Sequence, residues 1–355
     1  MPDVFIPQGT TTESTFDGIK YLLHTPGVKT GRTRQYRLLV VQHGTREVAD
    51  SIGAQEYLGY AIARSDPYLR DLVVVAPHFP SEAEAPDGIN GKNFQKFSKD
   101  GLTWLHELVH AHLPGVFAGL DVDVEPRKFY FFGHSRGGMM VHRYMLKFKS
   151  ADIHRAAAAA GQMFLKGSER FNLEGLDALT DEQYVDRVDR FIQHPVAIII
   201  GTRDSDRRIL NIFEYMNREF GSRMNQKALK TLLVDPPEGS SLAVPLKLGM
   251  DDFGGNVLAR RRPLLRPEDI GVEFHWTPNG NGRRPSEHDD VTRYPGHKGR
   301  RNYPTASDFM FRDRPQTHVN LQAALQEAQE MWGNRLSVES PEEEDEGFSE
   351  DDEDN

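Results

Sequence analysis

The sequence predicts an α/β protein with a mostly parallel central sheet and helices on both faces of that sheet. Between residues 36 and 220, apolar runs of strand length alternate with segments whose apolar residues recur at helical spacing. The stretch Phe129 to Gly138 is the second observation: aromatic residues lead directly into Gly-His-Ser-Arg-Gly-Gly. This pattern is typical of a buried strand, a tight turn with Ser135 at its apex, and a helix.

The first part of the chain supplies several predicted strands. An early strand is expected at residues 18–25, and the apolar runs Tyr36–Val41 and Leu72–Pro77 are typical of strands buried on both faces. Helices are predicted at Ala54–Ser65 and Leu102–Leu113. The polar, Pro- and Gly-rich residues 80–97 follow a strand end, which is the edge where sites lie in open sheets. We therefore expect this loop to wall a pocket.

The elements after the serine turn continue the alternation. They are, in chain order, a helix at Gly138–Phe148, a strand at Ala156–Ala160, a helix that Thr180 caps, a strand at Pro195–Ile200 and a helix at Ile209–Phe220. Residues 133 and 137, two before and two after Ser135, are both glycine. The strand and the helix approach each other too closely there for larger side chains.

Residues 221–310 interrupt this pattern. They are rich in Pro, Gly, Asn and Arg, and they contain two plausible strands, Leu229–Val234 and Val272–Trp276. Because they lack the apolar content for a core of their own, we expect an insertion lying over the sheet edge. Ser307–Phe311 is then predicted as the last strand, and a helix follows from His318 to Trp332.

Composition predicts one domain and a tail. Residues 1–336 are expected to form a single domain, and residues 337–355 an acidic disordered tail, since residues 339–355 hold eleven of the acids behind a net charge of −10. The absence of cysteine excludes disulfides, thiolate metal sites and a cysteine nucleophile. No signal peptide or membrane-spanning segment is visible, so a cytoplasmic location is expected, with a processed secreted form as the alternative.

A second turn carries chemistry. The strand Tyr36–Val41 runs through Gln42 into His43-Gly44-Thr45, at the same predicted sheet edge as Ser135. The backbone N–H of Thr45 is a candidate donor to an oxyanion, together with the backbone N–H of Arg136 directly after the serine. An ordinary strand-end turn is the alternative for the His-Gly pair. The Arg136 side chain is a further candidate, for contact with a substrate carboxylate.

The chain resembles the α/β-hydrolase superfamily of the serine esterase type. The resemblance rests on His43-Gly44, on Gly133-His134-Ser135-Arg136-Gly137, and on Gly-Thr-Arg-Asp at 201–204 followed by a late histidine. It covers residues 18–220 and 307–333. The order Ser, Asp, His along the chain is that of the superfamily. The resemblance implies the α/β-hydrolase fold and a triad in which Ser135 is the nucleophile.

The acid and the base of this implied triad each leave alternatives. Asp204 matches the position of the acid in the strand-end turn, and Asp206 is the alternative, although it lies where a helix cap is natural. Among the late histidines we expect His318 to be the base, because the predicted last strand precedes it and the closing helix follows it. His288 and His297 remain alternative bases. His275 lies within a predicted strand and is the weakest candidate.

These residues predict a serine hydrolase, most simply a carboxylic-ester hydrolase that works through an acyl-enzyme on Ser135. A peptidase or thioesterase with the same triad is the alternative, and a non-catalytic hydrolase-like binding protein is the alternative from another class. The expected partner is a small-molecule ester, with no nucleic acid and no membrane; the sequence leaves the oligomeric state open. No cofactor is expected. His106, His110 and His112 have helical spacing on one segment, but we identify no acidic partner that completes a zinc site, and no metal is expected.

Overall fold

The structure is a computed structural model of the 355-residue chain. It describes residues 9–26, 35–48, 54, 72–96, 99–120, 122–148, 152–163, 166, 179–201, 211, 215, 219, 271–277, 306 and 309–311. At 125–127, 200, 201 and 273–277 the description covers the backbone alone. The statements below concern these residues.

The described strands form one eight-stranded sheet in the order β1-β2-β4-β3-β5-β6-β7-β8. Strand β2 runs antiparallel to both neighbours, β1 and β4, and every other neighbouring pair is parallel. The strand bounds are β1 Thr10–Phe16, β2 Ile19–Thr25, β3 Tyr36–Gln42, β4 Leu72–His78, β5 Val124–His134, β6 Ile153–Ala159, β7 Val196–Gly201 and β8 Val272–Thr277. The predicted mostly parallel sheet is therefore confirmed.

Four α-helices are described from end to end. They are α1 Gly101–Glu107, α2 Leu113–Gly119, α3 Arg136–Lys147 and α4 Asp181–Gln193. A π-helical turn, Leu108–His112, joins α1 to α2. Thr180 caps α4 as predicted: its side chain accepts the Gln183 N–H, and the Gln183 side chain bonds back to the Thr180 backbone. None of the described helices has the length and apolarity needed to cross a membrane.

The sheet buries two hydrophobic cores, one on each face, because alternate residues of a strand point to opposite sides. In β5, Phe129 and Phe131 belong to the first core, which α1, α3 and α4 cover. Tyr130 and Phe132 belong to the second core, together with helical residues at 54, 306 and 309–311. Helices on both faces of the sheet are thus confirmed.

The predicted last strand at Ser307–Phe311 is wrong, since the described residues 309–311 are helical. A short apolar run fits either a strand or a helix by periodicity alone. Here the run belongs to the second core: Phe311 contacts Tyr130 at a ring-centroid distance of 4.9 Å, and Arg155 Nη1 donates to the Phe309 carbonyl at 2.8 Å. The last described strand is instead β8, which pairs in parallel with β7.

This position of β8 changes how residues 221–310 relate to the sheet. The strand predicted at Val272–Trp276 exists, but it extends the central sheet rather than lying over its edge. The predicted strand at Leu229–Val234, the helix at His318–Trp332 and the acidic tail at 337–355 lie outside the described residues. The single-domain boundary at residue 336 stays a prediction.

Strand β1 was not predicted. Its sequence, Thr-Thr-Thr-Glu-Ser-Thr-Phe, is mostly exposed and has no apolar run to mark it. It is held as an edge strand by the turn at Asp17-Gly18, where both residues have positive φ, 45° and 76°. A two-residue turn with positive φ at both positions matches the twist of a hairpin.

Candidate active site

Ser135 occupies a strained turn between β5 and α3. Its φ of 53° and ψ of −118° lie in a region that non-glycine residues rarely adopt. Hydrogen bonds hold it there from two sides: the Ser135 N–H donates to the Ala159 carbonyl at 2.8 Å, and the Ser135 carbonyl accepts the Met139 N–H at 3.0 Å. The side chain is not fully covered, since 9% of the residue is exposed. The turn therefore presents a serine fixed by the sheet and by its own helix.

The glycines at 133 and 137 are required by close backbone contacts. A Cβ on Gly137 would lie 2.5 Å from the Gln42 carbonyl oxygen and 2.7 Å from that of His43. A Cβ on Gly133 would collide with the backbone of Gly137. The sequence argument that small residues must flank the serine is confirmed. Here the backbone of helix α3 lies in direct contact with the backbones of β3 and β5.

The ends of several strands meet at this edge of the sheet. Because β3, β5, β7 and β8 are parallel, their final residues Gln42, His134, Gly201 and Thr277 end on one side. The predicted acid follows β7 and the late histidines follow β8. Those predicted residues, namely Asp204, Asp206, His288, His297 and His318, lie outside the described residues. His275 lies in β8, and only its backbone is described.

His43 shapes the loop that follows β3. Its ring is fully buried, its Nδ1 lies 2.7 Å from the Gly44 carbonyl oxygen, and its Nε2 accepts the Phe79 N–H at 3.2 Å. Burial lowers the pKa of His43 to about 3, so the ring is neutral at physiological pH. A neutral ring can donate at Nδ1 and accept at Nε2, which is the arrangement these contacts require. The His-Gly turn is thus held by a specific tautomer.

Arg136 connects the serine turn to this loop. Its Nε donates to the Thr45 hydroxyl oxygen at 2.9 Å, and its Nη1 donates to the Lys92 carbonyl. The residue is 7% exposed. The sequence suggested a role for this side chain against a substrate carboxylate, whereas its guanidinium here holds together three backbone segments. No local pattern indicates this contact, because Thr45 is distant in sequence.

The two backbone donors predicted for an oxyanion lie on the segments that Arg136 connects. Among the described residues, no acceptor takes the backbone N–H of Thr45. The N–H of Arg136 belongs to the first residue of α3, where an N–H has no acceptor within its own helix. A helix N-terminus also favours negative charge. The oxyanion role of these two N–H groups stays a prediction.

The loop predicted to wall the pocket packs against the His43–Arg46 turn. Arg46 is 3% exposed; its backbone N–H donates to the Gly91 carbonyl at 3.2 Å, and its Nη1 donates to the Phe79 carbonyl at 2.9 Å. The rings of Phe79 and Phe94 stack at 4.7 Å beneath His43. The loop therefore lies beside the candidate site and supports it.

Comparisons with known proteins give remote likenesses. No protein-family model matches the sequence, and no curated protein matches it significantly. Among solved structures, a poly(3-hydroxybutyrate) depolymerase from Bordetella parapertussis is 19% identical, with a TM-score of 0.45 over 90% of this chain and 94% of that one. An S-formylglutathione hydrolase from Agrobacterium tumefaciens is 16% identical, with a TM-score of 0.41 over 93% and 97% of the two chains.

The fold follows from the chain's own topology. The sheet is mostly parallel, helices cover both faces, and β5 leads through a strained serine turn into α3. This strand–turn–helix arrangement has the backbone geometry of the nucleophile elbow of the α/β-hydrolase fold. The resemblance seen in the sequence is confirmed at the level of the fold.

The contact at Gly137 gives a first prediction. Gly137→Ala places a methyl group against the carbonyls of Gln42 and His43, so we expect the free energy of unfolding to fall by about 1–3 kcal/mol or more. Chemical denaturation measures this change. The control is Gly115→Ala, in α2, where a Cβ meets nothing within 4 Å. Ala is the better helix former, so that variant should be unchanged or more stable by up to about 1 kcal/mol. Equal effects of the two changes would contradict the packing argument.

The contact between Arg136 and Thr45 gives a second prediction. Thr45→Val removes the acceptor for Arg136 Nε and leaves a mostly buried donor without that partner, which costs about 1–3 kcal/mol of unfolding free energy. Thr45→Ser keeps the hydroxyl and should behave as the wild type. Denaturation and ester turnover should change together in the valine variant alone. If Thr45→Ser is as damaged as Thr45→Val, the hydrogen bond is not the reason.

Proposed function

We propose that this protein is a serine hydrolase that cleaves carboxylic esters through an acyl-enzyme on Ser135. The observation that carries the proposal is the backbone of Ser135, which is held at positive φ at the carboxyl edge of the sheet. Strain of this kind persists only where the surroundings enforce it, and it is concentrated at functional sites. The neighbouring Thr45 and Arg136 segments add backbone donors suited to an oxyanion.

The chemistry follows from these positions. Ser135 Oγ attacks the ester carbonyl carbon while a histidine accepts its proton, and the carbonyl oxygen becomes an oxyanion. The N–H groups of Arg136 and Thr45 donate to that oxyanion. When the intermediate collapses, the histidine returns the proton to the departing alcohol. Water then attacks the acyl-enzyme by the same route, which releases the acid and restores Ser135.

We propose Asp204 as the partner of the histidine, with Asp206 as the alternative. Strand β7 ends at Gly201, and it is separated from β5 by β6 alone. The residues after β7 therefore start from the same sheet edge as Ser135. An acid there can hold the histidine tautomer and stabilise its charged form.

The position of β8 in the sheet favours His288 over His318 as the proposed base. His318 was favoured because Ser307–Phe311 was expected to be the last strand, but residues 309–311 are helical. The last described strand is β8, which ends at Thr277, so a base that follows this strand is now supported instead. His288 is the first histidine after it, and His297 the second. We propose His288 as the base, His297 as the first alternative and His318 as the second.

Esters are proposed over amides because of the leaving group. An alcohol is expelled with modest help from a protonated histidine, whereas an amine must be protonated as it leaves. A serine in a strained turn with backbone donors on neighbouring segments supports the proposal of ester cleavage. A thioester would use the same steps, and a peptide would need further contacts to hold it.

Turnover of p-nitrophenyl butyrate by the full chain tests the proposal. The wild type should hydrolyse it with burst release of p-nitrophenol, and Ser135→Ala should lose kcat by about 10³-fold or more. The matched histidine series is His288→Asn, His297→Asn and His318→Asn, and only the first should match the loss at Ser135. A thioester and a peptide anilide, assayed in parallel, distinguish the alternative activities.

Each contrary outcome has a definite meaning. Loss of turnover in His318→Asn with His288→Asn unaffected would overturn the base assignment but leave the serine mechanism intact. No turnover of any acyl substrate by the folded wild type, together with no labelling of Ser135 by a fluorophosphonate, would overturn the hydrolase proposal itself and favour the binding protein.

A further inference from the structure

A second cluster of reactive side chains lies away from Ser135. His106 lies on α1, His110 lies on the π-helical turn that follows, and Asp152 lies directly before β6. In the sequence the two histidines are four residues apart, and Glu107 directly follows the first of them. The fold supplies Asp152, which is distant in sequence. Turns of π-helix inside α-helices occur frequently at functional sites.

The three side chains are close enough to share one ion. One ligand atom from each lies within 4.8 Å of the others, and the distance from His110 Nε2 to Asp152 Oδ2 is 3.9 Å. Two ligands of a tetrahedral zinc ion are separated by about 3.4 Å, since each lies about 2.0–2.2 Å from the metal. The observed spacing is wider than this, so the side chains must move toward one another when an ion binds.

Two neighbouring side chains fix the orientation of the His106 ring. Its Nδ1 lies 2.8 Å from the hydroxyl oxygen of Tyr144, and its ring stacks on Phe148 at 4.2 Å with an interplanar angle of 2°. An Nδ1–H that donates to Tyr144 leaves the lone pair on Nε2. A ligating imidazole commonly fixes its tautomer and orientation through such a bond from its other nitrogen.

His110 provides an independent observation. Its Nε2 atom is buried and makes no hydrogen bond in the described part of the chain. A buried polar atom without a partner is costly, and it calls for an explanation such as an ion. His112, on the same turn, differs: its Nε2 lies 3.0 Å from the Tyr21 hydroxyl oxygen, and its ring stacks on Phe16.

We propose that His106, His110 and Asp152 bind a divalent transition-metal ion of the Zn²⁺ type. Two imidazoles and one carboxylate are a ligand set that Zn²⁺ accepts, with a fourth position left for water or another small ligand. The ion would join the π-helical turn to the start of β6 and satisfy the buried His110 nitrogen.

The surroundings determine the fourth ligand. A cleft of about 410 Å³ adjoins the cluster, and its lining includes His106, Asp152, Lys147, Arg187 and Arg190. Three cations beside a metal ion weaken its binding, but they attract an anion. We therefore expect the fourth ligand to be water, hydroxide or a small anion.

This site is separate from the serine chemistry. Helix α3 is 12 residues long and runs from Ser135 at one end to Phe148, beside His106, at the other. At 1.5 Å per residue this is about 18 Å. The ion therefore lies too far away to take part at Ser135, and it would join the π-helical turn to the start of β6. The inference does not rest on the proposed hydrolase activity.

The test is titration of the EDTA-treated full chain with ZnCl₂ alone. Calorimetry measures the binding, and the thermal unfolding midpoint measures the gain in stability. The wild type should bind one Zn²⁺ per chain and unfold at a higher temperature when loaded. His110→Gln and Asp152→Asn should lose both effects. His112→Gln is the matched control, since His112 lies on the same turn but outside the cluster, and it should keep both.

Two outcomes would overturn the proposal. One is the absence of saturable binding by the wild type below about 1 mM Zn²⁺. The other is binding by His110→Gln and Asp152→Asn that equals the wild type, which would assign the ion to other histidines. Circular dichroism of each variant establishes that it is folded. Fluorophosphonate labelling of Ser135 should be the same with and without EDTA, which separates this test from that of the hydrolase.

Discussion

The approach of α3 to the edge of the sheet is the constraint on which the candidate site depends. The backbone at Gly137 passes so close to the carbonyls of Gln42 and His43 that no side chain fits. That contact forces the chain through a turn too tight for ordinary backbone angles, and Ser135 takes the strained position. The Ser135 N–H donates to the Ala159 carbonyl, so β6 helps to hold the strained turn in place. The position of the serine is therefore set by the fold, and preorganisation of this kind is what the proposed chemistry at Ser135 requires.

Buried polar groups transmit this constraint to the neighbouring loops. The guanidinium of Arg136 holds Thr45 on one side and the Lys92 carbonyl on the other, and the neutral ring of His43 is fixed between Gly44 and Phe79. A charged donor bonded in a buried site contributes about 1.5–3 kcal/mol, and leaving it unpaired costs at least as much. The segments at Thr45 and Lys92 are neither helix nor strand, but these contacts fix them in place. The Thr45 N–H, a proposed oxyanion donor, is therefore held in position. Rigidity at the site comes from these contacts.

The sequence predicted those elements whose structure is determined by the residues within them. Runs of apolar residues predict the buried strands β3, β4, β5 and β7. The geometry of the turn explains the glycines around Ser135. Strand β1 has no such run and was missed. Residues 309–311 were assigned to a strand because three consecutive apolar residues fit either element, and packing on Tyr130 decided for helix. Arg136 with Thr45, and Asp152 with His110, are pairs that only the assembled sheet brings together.

The central claim is that Ser135 is a nucleophile flanked by the backbone donors of Thr45 and Arg136. A crystal structure of the chain after reaction with a fluorophosphonate tests it most directly, because the adduct mimics the tetrahedral intermediate. The account predicts phosphorus bonded to Ser135 Oγ and one phosphonyl oxygen about 2.7–3.1 Å from both backbone nitrogens. Phosphorus on another residue, or a phosphonyl oxygen that neither N–H group reaches, would contradict it.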